Sequence, residues 1–126
     1  MVLPTIEAGL RQRELRRSAL ALAATARDLR SRALQTGIPQ QLVLRIAENS
    51  YQVTVDHEIY LPAQVKFAEV EGGETLDNST RQFLFFPNGS NLGGEIRLTA
   101  GQDGAAYWVR LEPLTGRIEV LRGDKS

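Results

Sequence analysis

Cysteine is absent from this chain of 126 residues, and histidine and tryptophan each occur once. Without cysteine the chain forms no disulfide, offers no thiol nucleophile and provides no cysteine-ligated zinc site. The single histidine, His57, lies between Asp56 and Glu58, and alternating strand residues point to opposite faces, so we interpret it as an exposed residue at a strand end. No segment resembles a nucleophile motif. We therefore predict a protein that is not an enzyme and needs no cofactor.

Long apolar runs are also missing. The longest charge-free stretch of the helical region covers nine residues, 18–26, whereas a membrane-spanning helix needs about 20 apolar residues. The formal net charge is zero but unevenly distributed: residues 1–36 contain seven arginines and three acidic residues, a charge of +4, and the remainder carries −4. This balance argues against a protein built mainly to coat nucleic acid.

The first third of the sequence predicts one long helix. Thr5 is the expected N-cap, Glu7 lies in the first turn, and Gly37 with Pro39 ends the helix after about Gln35. Small and apolar residues recur at steps of four and three, which predicts one packed face: Ala8, Leu15, Ala19, Leu22, Ala26, Leu29 and Ala33. One interpretation packs this face on the chain's own sheet, with the arginines solvated. The other divides the helix, so that its first half packs against other subunits.

After Pro39 the apolar pattern changes to period two, which is typical of strands. It predicts seven strands, over about residues 42–46, 51–55, 65–70, 82–86, 95–99, 105–112 and 117–121. Residues 71–81 are predicted to form an exposed loop. The fold class is therefore α+β, with a long N-terminal helix over residues 1–37 on the antiparallel sheets of a β-sandwich-like head over residues 38–126, together one domain.

Two further features of the head raise the question of binding. Glu69, Glu71, Glu74 and Asp77 could surround calcium, but their spacing does not match an EF-hand, so we favour a solvated charged loop without a metal. Among the aromatic residues most are expected in the core. Trp108, if it is exposed, would instead be an anchor for a partner protein.

Two turn-rich segments of the last third form a motif that contains no residue suited to bond breaking. The first runs from Phe85 to Leu98 and the second from Leu114 to Ile118. Their characteristic residues are Phe86, Pro87, Gly89, Ser90, Gly93, Gly94, Thr115, Gly116 and Arg117. The Gly-Gly pair lacks the lysine of a phosphate-binding loop, so we interpret it as a bulge or a close backbone approach. In this order, behind an arginine-rich helix, the motif resembles the head domain of the GspH/FimT-type minor pseudopilins, over about residues 4–120.

The resemblance implies a pilin-like structural subunit of a type II secretion pseudopilus, which contributes to the filament tip and to protein export across the outer membrane. The implied partners are the minor pseudopilins I, J and K, the major pseudopilin and the exported substrate. The implied location is the inner membrane, with a periplasmic head and a processed, methylated, single-pass N-terminal anchor. Residues 2–4 would then be the remainder of that anchor, and Met1 would not be native. The alternative is that Met1 is native and the protein is soluble.

The FimT-like branch of the family implies a different function, DNA binding by a minor type IV pilin. That branch is expected to carry further arginines after the Thr-Gly-Arg turn. In this sequence Arg117 is followed by Ile118 and Glu119, and the Glu119 carboxylate would repel phosphate. We therefore predict a pseudopilin role and regard nucleic acid as the less favoured partner.

Overall fold

The structure, a computed structural model, describes residues 4–54, 56–101 and 105–123, and the side chains of all of these except 4–8 and 54. The described residues form one α-helix, α1 (Pro4–Thr36), and nine β-strands. The strands are β1 (Gln40–Arg45), β2 (Ser50–Thr54), β3 (His57–Tyr60), β4 (Val65–Gly72), β5 (Glu74–Asp77), β6 (Thr80–Phe85), β7 (Gly94–Ala100), β8 (Ala106–Leu111) and β9 (Ile118–Arg122).

Helix α1 ends as the sequence predicts. Gly37 has a φ of 72°, and its N–H donates to the Ala33 carbonyl at 2.9 Å, a left-handed cap that satisfies one of the last carbonyls of the helix. The prediction of Thr5 as the N-cap was wrong, because α1 already includes Pro4 and Thr5. The side chains of residues 4–8, and the whole of residues 1–3, lie outside the described part of the chain. Within that part, no helix is both long and apolar enough to cross a membrane.

The strands form two antiparallel sheets. Sheet A has five strands in the order β3-β2-β1-β6-β5, and sheet B has four in the order β4-β7-β8-β9. All seven predicted strands are present. The prediction of a loop over 71–81 was wrong, because β5 (Glu74–Asp77) pairs with β6 there, and β3 was also missed. All four residues of β5 are exposed, so no alternation of apolar residues reveals this strand in the sequence.

The core lies between α1 and the inner faces of the two sheets. Leu42 of β1 pairs with Phe83 of β6, and the inward residues of sheet B include Ile96 and Leu98. Leu15, Ala19, Leu22, Ala26, Leu29 and Ala33 of the helix are buried in the same cluster. The spacing of four and three residues thus marks one helix face, which packs on the head of the chain itself. The observed fold is α+β, with a long pilin-like helix on two sheets.

Gly94 shows why the Gly-Gly pair is needed where the sheets meet. It has a φ of 150° and pairs with Gly72 of β4. A side chain there would run into the Glu71 carbonyl oxygen and would place its Cβ 2.7 Å from Cε1 of Phe83. Residues at this position must therefore lack a side chain, which is the close backbone approach that the sequence predicts.

Candidate functional site

The first motif segment forms a closed turn at the end of β6. The Phe86 N–H donates to the Ser90 carbonyl, and the Gly89 N–H donates to the Phe86 carbonyl, both at 2.9 Å. The side chain of Asn88 accepts from the Ser90 N–H at 3.0 Å and from its hydroxyl at 2.6 Å. Pro87 fixes the first dihedral of this turn, and Gly89 adopts a φ of 91° that other residues rarely reach.

The second motif segment is the turn between β8 and β9. The Glu112 N–H donates to the Arg117 carbonyl at 2.9 Å, and the Gly116 N–H donates to the Glu112 carbonyl at 3.0 Å. The Thr115 hydroxyl oxygen accepts from the Arg117 N–H at 3.2 Å. The Arg117 side chain is exposed, and its guanidinium lies 3.5 Å from the carboxylate of Glu119.

These two turns contact each other and form what we call the motif junction, residues 86–94 and 112–118. Asn91 donates from its N–H to the Pro113 carbonyl at 3.1 Å and from its side-chain amide to the Glu112 carbonyl at 3.0 Å. The Gly89 carbonyl occupies the space that a side chain of Gly116 would need. The motif residues are therefore close together because one turn is built against the other.

Helix α1 is tied to the motif junction by two arginines. Arg27 donates to the Ile118 carbonyl at 2.8 Å, and Arg30 donates to the Gly89 carbonyl at 3.2 Å. The motif thus joins the second half of the helix to the head through hydrogen bonds to carbonyl oxygens. This is a structural arrangement, and sequence reasoning did not identify either arginine.

The five helix residues predicted for packing occupy the inner face of α1. Leu15, Ala19, Leu22, Ala26 and Leu29 are all at most 2% exposed. Their contacts are with the core of the chain itself. The helix surface that remains available to another molecule is therefore a different one.

That available surface, which we call the outer face, comprises Leu10, Arg13, Arg16, Arg17 and Leu20. The two leucines are 54% and 41% exposed. Within the described ranges no acidic side chain lies within ion-pair distance of these three arginines. At 1.5 Å per residue the helix is about 50 Å long, whereas the buried segment from Leu15 to Ala33 spans only about 27 Å. None of the described side chains before Leu15, residues 9–14, is buried in the core, although Arg11 still lies against Gly101 of the head.

Trp108 lies on the other side of sheet B from α1, and another side chain covers it. Its cross-strand neighbour is Arg97, whose guanidinium lies 5.7 Å from the ring centroid, within the range of a cation–π contact. Arg97 also lies 3.6 Å from the carboxylate of Glu69. Trp108 is only 5% exposed, so little of its ring is available to a partner in this conformation.

A half-buried ion pair secures the edge strand β3. One guanidinium nitrogen of Arg45 lies 2.8 Å from both carboxylate oxygens of Glu58, and the Ser50 hydroxyl donates to the same carboxylate at 3.0 Å. Desolvation raises the pKa of Glu58, but the hydrogen bond from Ser50 and the charge of Arg45 outweigh it, so the net pKa is below the ordinary value. This network is part of the fold and was not predicted.

A cleft of about 270 Å³ lies between α1 and the β2–β3 hairpin, lined among others by Thr25, Asp28, Val53 and His57. It is smaller than common ligand pockets of about 300–1,000 Å³, and Asp28 is already paired with Arg32 at 3.0 Å. His57 is exposed at the start of β3. In the described part of the chain, no three histidine or acidic side chains are grouped closely enough to hold a metal ion.

A long helix on two antiparallel sheets, with turns that tie the helix to the head, is the architecture of a pilin-like protein. Two solved structures have a similar fold, both of the minor pseudopilin EpsH from the type II secretion system of Vibrio cholerae. One superposes with a TM-score of 0.65 at 15% identity and covers 86% of this chain and 97% of that chain. The other has a TM-score of 0.65 at 17% identity and covers 90% and 96%.

No family model and no curated protein matches the sequence. At 15% and 17% identity, the likeness to EpsH establishes the fold. The resemblance to minor pseudopilins that the motif predicts is therefore confirmed at the level of the fold.

Proposed function

We propose that this chain is a structural subunit of a pseudopilus with a role like that of minor pseudopilin H of type II secretion systems, and that it is not an enzyme. The observation that best supports this proposal is the pair of helix faces. The inner face, which includes Leu22, packs on the head. The outer face presents Arg17 and Leu20 to solvent, and neither residue is part of the core. The shared fold with EpsH over nearly all of that protein supports it as well.

In this role the outer face packs against neighbouring subunits of the filament. Leu10 and Leu20 supply apolar contact area, and the three arginines pair with acidic side chains of the partner. Exposed ion pairs contribute only about 0.2–1 kcal/mol each, so the arginines set orientation and association rate more than affinity. Leu15, Leu22 and Leu29 hold the helix on its own head.

The proposed partners are the minor pseudopilins I, J and K, the major pseudopilin and the exported substrate near the filament tip. The proposed location is the inner membrane, with the head in the periplasm and an N-terminal anchor ahead of this sequence. Residues 1–37 and 38–126 then act as one unit, because the arginines of the helix are bonded to the turns of the head.

The test is to mix the protein with the purified head domains of pseudopilins I, J and K, and to measure complex formation by light scattering and calorimetry at two salt concentrations. We expect a stoichiometric complex. Arg17→Glu should weaken it, because it places a negative charge on the outer face. Lys66→Glu, the same charge change at an exposed residue of β4, is the matched control and should leave the affinity unchanged. A missing complex, or equal effects of the two variants, would refute the assembly role of the outer face.

Binding of DNA is the second candidate, favoured by one observation. Arg13, Arg16 and Arg17 are exposed on one part of the helix without an acidic partner in the described ranges, and such a cluster could contact phosphates. Three phosphate contacts on duplex DNA would give a slope of about −2.7 for log K against log salt concentration. Duplex binding with that slope, abolished by Arg17→Glu and accompanied by no pseudopilin complex, would replace the pseudopilin proposal.

A further inference from the structure

The edges of the two sheets are not equivalent. Unpaired backbone groups along an edge strand can accept another strand, and register shifts are one way in which proteins prevent this. The pairing of β3 with β2, of β4 with β7 and of β5 with β6 is interrupted by a shift in each case. In contrast, β9 pairs with β8 over five consecutive residues, from Leu111 opposite Ile118 to Tyr107 opposite Arg122. Among the four described edge strands, β9 is therefore the one whose pairing with its neighbour has no register shift.

The hydrogen bonds of β9 define which of its backbone groups point away from the sheet. The Arg117 carbonyl accepts from the N–H of Glu112, the residue after β8, at one end, and the Gly123 N–H donates to the Ala106 carbonyl at the other. The backbone N–H and C=O groups of successive residues in an antiparallel strand point alternately to its two sides. Those of Ile118, Val120 and Arg122 therefore point away from β8. Arg27 already occupies the Ile118 carbonyl. Val120 and Arg122 thus present two N–H and two C=O groups that have no partner within the described ranges.

Helix α1 makes the surroundings of this edge cationic. Arg16 and Leu20 precede Arg27 by eleven and seven residues, so both lie within about 20° of it around the helix axis. From Ile118, β9 runs toward the end of sheet B where Gly101 lies against Arg11. Over its four residue steps it advances about 14 Å, and Arg16 lies about 16 Å from Arg27 along the helix. Arg16 and Arg122 therefore flank the same end of the edge.

We propose that the β9 edge receives an extended strand of a partner pseudopilin, with acidic side chains that face Arg16 and Arg122. This inference rests on the proposed function and names the surface and the partner chemistry that it would use. Strand addition supplies affinity through main-chain hydrogen bonds, and alternate side chains supply specificity. A second copy of this chain is a poor occupant, because its own β9 edge is flanked by the same arginines, Arg16 and Arg122, so both edges are cationic.

Two measurements test this proposal on the complex with the head domains of pseudopilins I, J and K. In hydrogen exchange with residue resolution, we expect the Val120 and Arg122 amides to slow by at least about tenfold on complex formation. Val120→Pro removes the outward N–H without breaking the ladder to β8, and should weaken the complex by about tenfold or more. Val120→Ala shortens the side chain more than Val120→Pro does but keeps the N–H, and should change the affinity by less than about threefold.

The outcomes separate the two proposals. A stoichiometric complex in which the Val120 and Arg122 amides exchange as fast as in the free protein would overturn strand addition and leave the pseudopilin role intact. Equal affinities of Val120→Pro and Val120→Ala would have the same consequence. If no complex forms with any of the three head domains, both proposals fail. Should Val120→Pro not fold, the exchange measurement on the unmodified protein decides alone.

Discussion

The two faces of α1 can be tested with two substitutions only two residues apart. Leu22 is completely buried, whereas Leu20 is 41% exposed. Replacing Leu22 by Ala removes apolar contacts and leaves a cavity between the helix and the head, which costs about 2–5 kcal/mol for a buried leucine. Replacing Leu20 by Ala creates no cavity and makes the same change in helix propensity. It should cost about 0.5 kcal/mol or less.

The assay is reversible urea unfolding of each variant, with thermal melting as a second measure. For a chain of this size 1 kcal/mol corresponds to a shift in Tm of about 3–5 °C, so Leu22→Ala should melt at least about 4.5 °C below Leu20→Ala. The effects on binding to the pseudopilins should have the opposite order. Leu20→Ala should weaken the complex more than Leu22→Ala, because Leu20 contributes to the outer face and Leu22 does not. A cost below about 0.5 kcal/mol for Leu22→Ala would refute the packing of the helix on its own head.

Three further substitutions test other parts of the fold. Gly94→Val should destabilise the head by about 3 kcal/mol or more in urea unfolding, because its side chain meets the Glu71 carbonyl, and an unchanged midpoint would contradict the close approach. Gly37→Ala, at a φ of 72° with open space around it, should cost about 1–2 kcal/mol. Gly116→Ala, at a φ of 75°, should cost clearly more, because the Gly89 carbonyl blocks its Cβ; equal costs would argue against the motif junction. The lowered pKa of Glu58 stabilises the fold above the unfolded value of about 4.3, and this contribution is lost as pH falls through the folded pKa. Glu58→Gln should therefore flatten the decline in Tm below about pH 4.5, and an unaltered pH profile would contradict the role of the ion pair.

The helix and the buried strands could be predicted because their signals are local. Gly37 and Pro39 mark the end of α1, and period-two alternation marks strands that have one face in the core. The strands β3 and β5 lack this signal, since a four-residue edge strand has only one neighbour and can expose all its side chains. Their existence depends on pairing with β2 and β6, which no local pattern contains.

The candidate site was harder to predict because its contacts join distant parts of the sequence. Arg27 and Ile118 are 91 residues apart, and Arg30 and Gly89 are 59 residues apart. The motif predicted that the turns exist, but not that they fix the helix. Likewise, the exposure of Trp108 depends on the register that places Arg97 beside it, and the composition of one strand does not contain that register.

The step of four and three along α1 predicts a packed face but not what it packs against. The outer face has its own signal, since Leu10, Arg13, Arg17 and Leu20 follow the spacing i, i+3, i+7 and i+10 on the side opposite the core. Two stripes on opposite sides of one helix are expected when the helix contacts two surfaces. The sequence therefore contains a signal for the outer face that is separate from that of the buried stripe.

The part of α1 before Leu15 has few contacts of its own that would keep it helical. About 27 Å of α1 packs on the head, and the residues before Leu15 form only about three turns of their own. Helices of fewer than about 12–15 residues are marginal in water, because nucleation is costly and packing supplies most helical stability. This segment is helical in the structure because it continues a docked helix, and a partner on its outer face would stabilise it further. Binding that depends on the outer face should therefore also slow amide exchange over residues 9–14, whereas a partner that contacts only the head should leave these amides unchanged.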